Sequence, residues 1–573
     1  MQATSPSPNL SIRAPETRRK PLWAVWLVAL WLTVVGNLPL WQRVASLTAD
    51  SGHQWPQLLG LGVLVLALIA ALLSLLNWPR VFRPVATLLV LMAAANSYFM
   101  WQYRVVIDPS MMANVANTDP REVRDLLSWP LLTTLAGVAG PALWWIWRRV
   151  PGWQPPLRQL VRNLTGAVLA LAVAAAALMA GYQGIASLMR GHKELRYMIN
   201  PLNSVYASAA LAVNAGSHAV TTLEPVGTDA RLGASYAAQA RPPLLVFVVG
   251  ETARAQNWGL NGYARPTTPA LAQWQARDGL VNFPDVTSCG TNTQVSVPCL
   301  FSPLSRDEGG NATPHSENLL DVLQRAGLAV LWLDNQSGCK GVCDRVPHAQ
   351  VSEQPVAGLC DGGECLDEAM LSGLDARIAA LDPERRARGV VLVMHQMGSH
   401  GPAYHKRAPE ERKPFQPECR SVTLSECPAE QLLNAYDNSI AYTDHFLSKT
   451  LEWLKGHATA GRFDTGLVYV SDHGESLGEN GVFLHGVPYA FAPAQQTHVP
   501  MVGWLSEGMQ KRRGVDAGCL RQRAAKPASH DNLFHSVLGL MDVETTVRQP
   551  ALDLFVPCAA GTGAAPVSAS PAG

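Results

Sequence analysis

LLVFVVGET, residues 244–252, is a run of apolar residues that ends in a glycine, a carboxylate and a hydroxyl. Valine-rich runs of this kind are typical of strands buried on both faces of a sheet. Similar runs occur further along the chain, at 328–333, 390–394 and 467–470. Helical patterns lie between these runs, at 317–326, 366–381 and 430–455. Strands that alternate with helices predict an α/β domain built on a mainly parallel sheet.

Carboxylates and histidines follow three of these apolar runs. Glu251 follows the first run, His395 and His400 follow the third, and Asp472 and His473 follow the last. In a parallel sheet the carboxyl ends of the strands share one edge, and ligands bind there. Glu, Asp and His are suitable zinc ligands, and three of them with one open coordination position describe a catalytic site. The pattern therefore predicts a metal-dependent active site at this edge.

The segment SCGTNTQVSVPC, residues 288–299, offers hydroxyl groups for nucleophilic chemistry. Thr291 follows Gly290 and is predicted to begin a helix, where free backbone N–H groups favour a phosphate. A threonine hydroxyl is a weak nucleophile unless a metal or a base activates it. We assign Thr291 to the open position of the metal site, while the spacing leaves Thr293 as an alternative.

The N-terminal part of the chain has a different composition. Charged residues make up 16% of the 573 residues, whereas about 25% is usual in soluble proteins. A net charge of +1 gives no support for a nucleic-acid partner. Five apolar segments have the length that a membrane-spanning helix needs, at 22–41, 57–76, 84–102, 130–147 and 165–182. We therefore expect an N-terminal transmembrane domain of five helices.

Lysine and arginine are concentrated before the first apolar segment and in the loops that follow the second and fourth segments. This bias places the N-terminus in the cytoplasm and the part of the chain after the fifth segment outside. The expected organisation is a cytoplasmic tail, a transmembrane domain, an amphipathic linker on the membrane surface, a periplasmic catalytic domain and a disordered tail, at 1–21, 22–182, 183–240, 241–558 and 559–573.

All ten cysteines lie in the part of the chain that is predicted to be external, from Cys289 onward. An even number of cysteines in such a region is typical of disulfides in an oxidising compartment. The alternative is a thiolate zinc site, whose usual spacing only Cys339 and Cys343 fit. Pairing of neighbours predicts the disulfides Cys289–Cys299, Cys339–Cys343, Cys360–Cys365, Cys419–Cys427 and Cys519–Cys558.

Several motifs give the chain a wider resemblance: VVGETARAQNWGLNGY (248–263), SCGTNTQVSVPC (288–299), DNQSGCKGVCDRV (334–346), HQMGSHGPAY (395–404) and SDHGESLGENGVFLHG (471–486). With the five apolar segments, the chain resembles the membrane-bound phosphoethanolamine transferases that modify lipid A, including the mobile colistin-resistance enzymes. The resemblance implies an alkaline-phosphatase-like, or sulfatase-like, fold for the catalytic domain.

The resemblance also implies roles for individual residues. The implied zinc ligands are Glu251, Thr291, Asp472 and His473, with Thr291 as the nucleophile. Positions that hold the phosphoethanolamine group or a second metal match Asn335, Lys340, His400 and His485. Polar residues that are linked to lipid substrate binding match Asn114, Thr118 and Glu122. Their i, i+4, i+8 spacing suits one helix face, although Pro120 disfavours helical geometry at Asp119.

The implied reaction takes place at the bacterial inner membrane. Thr291 attacks phosphatidylethanolamine, diacylglycerol leaves, and a lipid A phosphate then accepts the phosphoethanolamine group, which gives resistance to polymyxin and colistin. His400 or His485 protonates the leaving group. Two alternatives stay open: a transferase of the same fold that uses another envelope acceptor (core sugar or glucan) or transfers phosphoglycerol, and a non-catalytic, membrane-tethered binding protein. No feature of the sequence indicates an oligomeric state.

Overall fold

The computed structural model describes residues 23–49, 54–118, 123–124, 126–148, 153–218, 223–237, 240–310, 316–555 and 558. The chain forms two compact units. The first consists of Met1–Ser97 and Thr133–Leu202, and the second consists of Tyr98–Leu132 and Asn203–Gly573. The predicted tails, 1–21 and 559–573, and Glu122 lie outside the described residues.

Helices account for most of the described chain before residue 218. In chain order they are α1 (Trp23–Val34), α2 (Leu38–Thr48), α3 (Gln54–Leu75), α4 (Phe82–Tyr103), α5 (Pro109–Ala116), α6 (Trp129–Arg148), α7 (Pro156–Gly191) and α8 (Leu202–His218). In the first unit α3 packs along α7, and α1 packs against α3. Trp31 Nε1 donates to Val138 O at 2.8 Å, which joins α1 to α6.

Each of the five predicted apolar segments is helical over most of its length. Three described helices are long and apolar enough to cross a membrane, and α1 with α2 form a fourth span if the bent pair is counted as one. The helix α6 covers the fourth predicted segment with 20 residues. The helix α7 continues beyond the fifth predicted segment to Gly191, so it extends into the region predicted as a linker.

The first apolar segment is broken rather than continuous, because α1 and α2 are bent by 54°. Gly36 lies at the break, where an added Cβ would be 2.6 Å from Leu32 O. Asn37 Nδ2 donates to Leu32 O at 2.9 Å and to Asn200 O at 2.7 Å. Backbone groups that a break frees in an apolar environment need internal partners, and the buried amide of Asn37 supplies them.

The second unit contains the sheet. Its strands are β1 (Arg231–Leu232), β2 (Pro243–Gly250), β3 (Val281–Thr287), β4 (Ala329–Asp334), β5 (His348–Gln350), β6 (Cys360–Asp361), β7 (Glu364–Cys365), β8 (Val390–His395), β9 (Asp464–Ser471), β10 (Ser476–Leu477), β11 (Phe483–Leu484), β12 (His498–Leu505), β13 (Ala528–Ser529) and β14 (Val543–Glu544). Its remaining helices are α9 (Pro269–Asp278), α10 (Thr293–Leu300), α11 (Leu319–Arg325), α12 (Leu374–Ala379), α13 (Pro383–Arg388), α14 (Ala429–Thr459), α15 (Ala494–Thr497), α16 (Glu507–Arg513), α17 (Ala517–Ala524) and α18 (Leu533–Leu540).

The main sheet has eight strands in the order β13-β3-β12-β9-β2-β8-β4-β5. The strand β12 is antiparallel to both of its neighbours, and the other strand pairs are parallel. The prediction of a mainly parallel sheet is therefore confirmed. All residues of β2, β4 and β8 are buried, which explains why these strands consist of apolar runs without alternation.

The five predicted disulfides are confirmed: Cys289–Cys299, Cys339–Cys343, Cys360–Cys365, Cys419–Cys427 and Cys519–Cys558. The described part of the chain holds no free cysteine. A thiolate zinc site at Cys339 and Cys343 is therefore excluded in this oxidised form.

Candidate active site

The chemistry-bearing residues meet where three adjacent strands end. Glu251 follows β2, His395 is the last residue of β8, and Asp472 and His473 follow β9. The strand β2 lies between β8 and β9 in the sheet, so these strand ends are neighbours. Glu251, Asp472 and His473 are each 0% exposed. The site is thus a buried cluster at the carboxyl edge of the sheet, as the sequence predicts.

The side chains of Glu251, Asp472 and His473 converge on one point. The Nε2 atom of His473 lies 3.3 Å from Glu251 Oε1 and 3.3 Å from Asp472 Oδ2. One ligand atom from each of the three residues lies within 4.8 Å of the other two. Two oxygens and one nitrogen at this spacing could bind a single metal ion.

Two details of the cluster fit a zinc ion. His473 Nδ1 lies 2.9 Å from Gly474 O, which requires a proton on Nδ1 and directs Nε2 at the carboxylates. Histidines that bind metals are commonly oriented by a backbone carbonyl in this way. Asp472 Oδ2 accepts no hydrogen bond from any described residue. A mixed oxygen and nitrogen set with such an unused oxygen suits zinc.

Burial and mutual charge together set the pKa values in the cluster. Burial, aided by the charge of Glu251, raises the pKa of Asp472 to about 7. Burial also acts on Glu251, but the hydrogen bond and charge of His473 outweigh it and hold the pKa of that carboxyl well below its usual range. Burial opposes charge on His473 too, yet Asp472 and Glu251 raise its pKa to about 10. A positive charge is therefore stable between the two carboxylates, where a cation would lie.

The hydroxyl that faces this cluster belongs to Thr293. Its Oγ1 atom lies 3.1 Å from Glu251 Oε2 and 3.4 Å from His473 Nε2. Thr291, which we predicted for this position, donates its hydroxyl to Val487 O at 2.7 Å. The structure thus corrects the choice between the two threonines, because the helix begins at Thr293 and not at Thr291.

The helix start explains this difference. Asn292 is the N-cap of α10, and its side chain accepts a hydrogen bond from Val295 N at 3.1 Å. Thr293 is therefore the first helical residue, and its hydroxyl lies among the free N–H groups of the first turn. Asparagine is among the preferred N-cap residues. This preference is the signal in the sequence that could have selected Thr293.

His400 and His485 lie beside the cluster, as the resemblance implies. The ring of His485 is 4.5 Å from that of His473 and 5.4 Å from that of His400. Burial lowers the pKa of His400 to about 3. His485 Nδ1 lies 3.2 Å from Oε1 of the buried carboxylate Glu475. The structure therefore brings two further imidazoles to the reacting edge.

Asn335 and Lys340 make their polar contacts within their own region of the chain. Asn335 Nδ2 donates to Asp367 Oδ1 at 2.8 Å and to Cys365 O at 2.9 Å. Lys340 Nζ donates to Ser337 Oγ at 2.8 Å. These hydrogen bonds do not join the two side chains to the cluster of Glu251, Asp472 and His473.

Asn114 and Thr118 lie on and just after α5, and Thr118 Oγ1 donates to Asn114 O at 2.8 Å. The neighbouring Asn117 contacts α10, because its Nδ2 donates to Gln294 Oε1 at 3.0 Å. The helix α5 therefore packs against α10 within the second unit. Glu122, the third predicted residue of this group, is outside the described residues.

Sequence reasoning missed two carboxylates that orient histidines. Asp334, the last residue of β4, has its Oδ2 atom 3.2 Å from His395 Nδ1, and His395 Nε2 in turn lies 4.0 Å from Glu251 Oε2. Glu475 performs the same task for His485. Both carboxylates lie inside the motifs 334–346 and 471–486, and Asp334 directly follows the predicted strand 328–333. Their position in the sequence could therefore have identified them.

The chain is similar to known proteins over most of its length. The chain matches the sulfatase family over residues 243–543 and the family described as phosphoethanolamine transferase EptA/EptB over residues 65–215. Among curated proteins, phosphoethanolamine transferase EptA of Escherichia coli K12 is 41% identical over 93% of this chain and 96% of its own length. Phosphatidylethanolamine transferase Mcr-1 of Escherichia coli is 37% identical over 91% of this chain and 95% of its own length.

Solved structures show the same similarity. The integral membrane lipooligosaccharide phosphoethanolamine transferase A of Neisseria meningitidis superimposes with a TM-score of 0.87 at 34% identity, over 94% of this chain and 99% of that protein. The separate soluble domain of this transferase gives a TM-score of 0.55 at 42% identity, over 59% of this chain and 98% of the domain. With helices and sheet both matched over nearly the whole length, the chain is an enzyme that belongs to the phosphoethanolamine transferase family.

Proposed function

We propose that this enzyme transfers phosphoethanolamine from phosphatidylethanolamine to a phosphate of lipid A through a covalent intermediate on Thr293. The observation that carries the proposal is the position of the Thr293 hydroxyl, 3.1 Å from Glu251 Oε2 in the buried cluster after β2 and β9. A nucleophile within hydrogen-bond reach of a carboxylate and an imidazole is the arrangement that covalent catalysis needs.

The proposed cofactor is zinc, held by Glu251, Thr293, Asp472 and His473. The unused oxygen of Asp472 and the orientation of His473 by Gly474 support this assignment. A bound zinc ion lowers the pKa of a hydroxyl that it contacts and stabilises negative charge on phosphoryl oxygens. Thr293 replaces Thr291 as the proposed fourth ligand, because only Thr293 faces the cluster.

In the first half-reaction, Thr293 Oγ1 forms a bond to the phosphorus of phosphatidylethanolamine. The bond from phosphorus to the diacylglycerol oxygen breaks, and diacylglycerol leaves. The threonine hydroxyl loses one proton and the diacylglycerol oxygen gains one, so the step is balanced. We assign delivery of this proton to His485, which lies beside the cluster, because burial lowers the pKa of His400 to about 3 and leaves that ring without a proton to give at neutral pH. The carboxylate of Glu475, 3.2 Å from His485 Nδ1, holds the ring of His485 in place.

In the second half-reaction, an oxygen of the acceptor phosphate attacks the same phosphorus. The bond to Thr293 Oγ1 breaks, and the threonine regains its proton. Positioning and charge stabilisation account for most of the catalysis in phosphoryl transfer. The first turn of α10 contributes here, because its free N–H groups favour negative charge.

The roles of the remaining substrate-binding residues belong to the same proposal. Lys340 is assigned to the phosphate of the phosphoethanolamine group and Asn335 to its polar atoms, after rearrangement of the hydrogen bonds that hold them now. Asn114, Thr118 and Glu122 are assigned to the lipid headgroup. The proximity of Asn114 and Thr118 to Asn117, which contacts α10, supports a role close to the nucleophile.

We further propose that the enzyme resides in the bacterial inner membrane with its sheet domain in the periplasm. The five disulfides support an oxidising compartment. Transfer of a cationic amine to lipid A lowers the negative charge of the surface. Basic residues bind anionic membrane surfaces with about 1 kcal/mol each, so resistance to polymyxin and colistin follows.

The decisive experiment compares wild type, Thr293→Ala and Thr291→Ala. Intact-protein and peptide mass spectrometry of full-length protein incubated with phosphatidylethanolamine should show a phosphoethanolamine adduct on Thr293. Lipid A from cells should be modified by wild type and by Thr291→Ala but not by Thr293→Ala. An adduct on Thr291 or Ser296 would overturn the assignment of Thr293 as the nucleophile. Modification of core sugar in place of lipid A would overturn the acceptor alone.

A further inference from the structure

His530 is a buried histidine outside the cluster of Glu251, Asp472 and His473. It contacts Cys289, in the loop before α10, and Ser471, at the end of β9. It is 1% exposed. Its Nδ1 atom accepts a hydrogen bond from Cys289 N at 3.1 Å, and its Nε2 atom donates to Ser471 O at 3.0 Å. An amide N–H only donates and a carbonyl only accepts, so the ring must be neutral with its proton on Nε2. Burial lowers the pKa of His530 to about 3, which keeps the ring neutral at pH 7.

The first contact of His530 fixes the loop that leads into α10 and its first residue, Thr293. Cys289 opens this loop, and its disulfide with Cys299 joins the loop to α10 near the end of the helix. Ser288 N, one residue earlier, donates to Thr497 O at 2.7 Å. The amide that His530 holds therefore lies at a point where the loop is tied to both the helix and the rest of the domain.

The second contact of His530 fixes the loop that carries the metal ligands. Ser471 is the last residue of β9 and directly precedes Asp472. Its hydroxyl accepts from Ala253 N at 2.8 Å and donates to His473 O at 3.0 Å. Ser471 thus connects the loops after β2 and β9, and His530 holds its carbonyl.

We propose that His530 is a positioning residue that sets the distance between the Thr293 hydroxyl and the ligand cluster of Glu251, Asp472 and His473. One planar ring spans from the nucleophile loop to the ligand loop and has no free rotation once both nitrogens are bonded. The inference deepens the proposed function, because it takes Thr293 as the nucleophile. A displacement of about 1 Å between reacting groups can cost about 10²-fold in rate.

The test measures turnover by the full-length enzyme in detergent micelles, with fluorescent phosphatidylethanolamine as donor, lipid A as acceptor and released diacylglycerol as the readout. We expect His530→Ala to lower kcat by about 10- to 100-fold. The KM for the donor should change by less than about twofold, because His530 touches no group assigned to donor binding.

Two conservative variants separate the contacts. The Oδ1 atom of His530→Asn can replace Nδ1 and accept from Cys289 N, whereas the Nε2 atom of His530→Gln can replace the ring Nε2 and donate to Ser471 O. Each variant should recover part of the kcat lost in His530→Ala. They also keep most of the side-chain volume, so the test stands if the alanine variant fails to fold.

His535 offers a matched control five residues further along the chain. It is also 1% exposed, and its Nδ1 atom also accepts a backbone hydrogen bond, from Gln549 N at 3.1 Å. We expect His535→Ala to lower the melting temperature and leave the kcat of the folded enzyme unchanged. Wild-type kcat in every folded His530 variant, or an equal kcat loss in His535→Ala, would overturn the proposal.

The outcome is separable from that of the proposed function. An adduct at a site other than Thr293 in the wild-type enzyme would refute the nucleophile whatever the His530 variants do. An adduct on Thr293 that forms at the wild-type rate in the His530 variants would refute the positioning role and leave the proposed function intact.

Discussion

Two carboxylates and one imidazole share a buried space, and this determines what single substitutions do there. Asp472→Asn keeps the size of the side chain but removes one negative charge from the cluster. We expect the affinity for zinc to fall by more than about 100-fold, since loss of an outer-shell partner alone typically costs 10- to 100-fold. Chelator competition and metal analysis of the purified enzyme would measure this loss.

Asp437→Asn is the matched control for Asp472→Asn. Asp437 is also 0% exposed, but its carboxylate is paired with Arg265 at 2.8 Å rather than with the cluster. This variant should lose stability and keep its zinc. Wild-type zinc affinity in Asp472→Asn would remove Asp472 from the ligand set.

We expect Thr291 to support its loop without taking part in the reaction. Thr291→Val removes the hydroxyl that donates to Val487 O at 2.7 Å, and it leaves that buried carbonyl without its partner. We expect a loss of about 1–3 kcal/mol in the free energy of unfolding, with adduct formation on Thr293 unchanged. Thermal unfolding and peptide mass spectrometry would check the two halves of this prediction, and a failure to form the adduct would reopen the assignment.

The sequence allows some residues of the site to be predicted and not others. Glu251, Asp472 and His473 are predictable because the ends of neighbouring parallel strands must meet at one edge. The choice between Thr291 and Thr293 depends on which residue begins α10, since side chains on a helix are separated by about 100° per residue. That phase is set by the Asn292 side chain, a single hydrogen bond that a hydrophobic pattern does not reveal.

Among the helices, α9 begins without a hydrogen bond from the side chain at its N-cap position, which is Thr268. The carboxylate of Asp444, on α14, accepts instead from Ala270 N at 2.9 Å and Leu271 N at 2.8 Å. Burial nevertheless raises the pKa of Asp444 to about 6. The protonated form is therefore favoured more in the folded than in the unfolded chain.

A raised pKa gives this helix start a defined pH dependence. The stability that Asp444 contributes is fully present below its unfolded pKa of about 3.9 and is lost as the pH rises through about 6. Relative to Asp444→Asn, which does not titrate, wild type should lose about 2 kcal/mol between pH 4 and pH 7. Melting temperatures of both proteins across this range would show the change, and a constant difference between them would contradict it.

The disulfides differ in the length of chain that they close. Cys519–Cys558 spans 39 residues, whereas Cys360–Cys365 spans 5. In the chain-entropy account the longer loop stabilises by about 4 kcal/mol and the shorter by about 2 kcal/mol. Replacement of both cysteines by alanine should therefore lower the melting temperature more for the long loop. An equal or greater loss for the short loop would show that chain entropy does not decide the order.

The first predicted membrane segment shows where the prediction of helices from hydropathy fails. The first apolar segment reads as one continuous span, yet it bends at Gly36, where Asn37 Nδ2 donates to the carbonyl of Leu32. Hydropathy counts Asn37 as one polar residue in an apolar run and does not detect its hydrogen bond to Asn200, which is distant in sequence. The sheet was predicted more successfully, because buried parallel strands leave a signal that is wholly local.

The second compact unit contains Tyr98–Leu132 as well as the sheet, although the two are distant in the sequence. Within it, Asn117 contacts Gln294 at 3.0 Å and Ser110 Oγ lies 3.4 Å from Asn292 Nδ2. Both contacts lie at the start of α10, the helix that carries the proposed nucleophile Thr293. The helix α5 is therefore a structural part of the catalytic unit.

A fragment of residues 241–558 tests this organisation, and the soluble domain of the related Neisseria meningitidis transferase has been solved as a separate protein. We expect the fragment to bind zinc but to form the Thr293 adduct from a soluble phosphoethanolamine ester more slowly than the full chain does. Asn117→Ala in the full chain should reproduce part of this loss. Equal adduct rates in fragment and full chain would show that α5 does not influence the nucleophile.

The unit that contains the sheet is made of two separate stretches of the chain. This limits where recombination between two related enzymes can leave the unit intact. A crossover near residue 240 between two diverged relatives would pair the α5 of one parent with the α10 of the other. The Asn117–Gln294 and Ser110–Asn292 partners would then be inherited separately and would match only by chance. A crossover upstream of Tyr98 transmits both partners together. Functional mosaics of this family, natural or engineered, should therefore have their breakpoints before residue 98 far more often than at the start of the sheet domain.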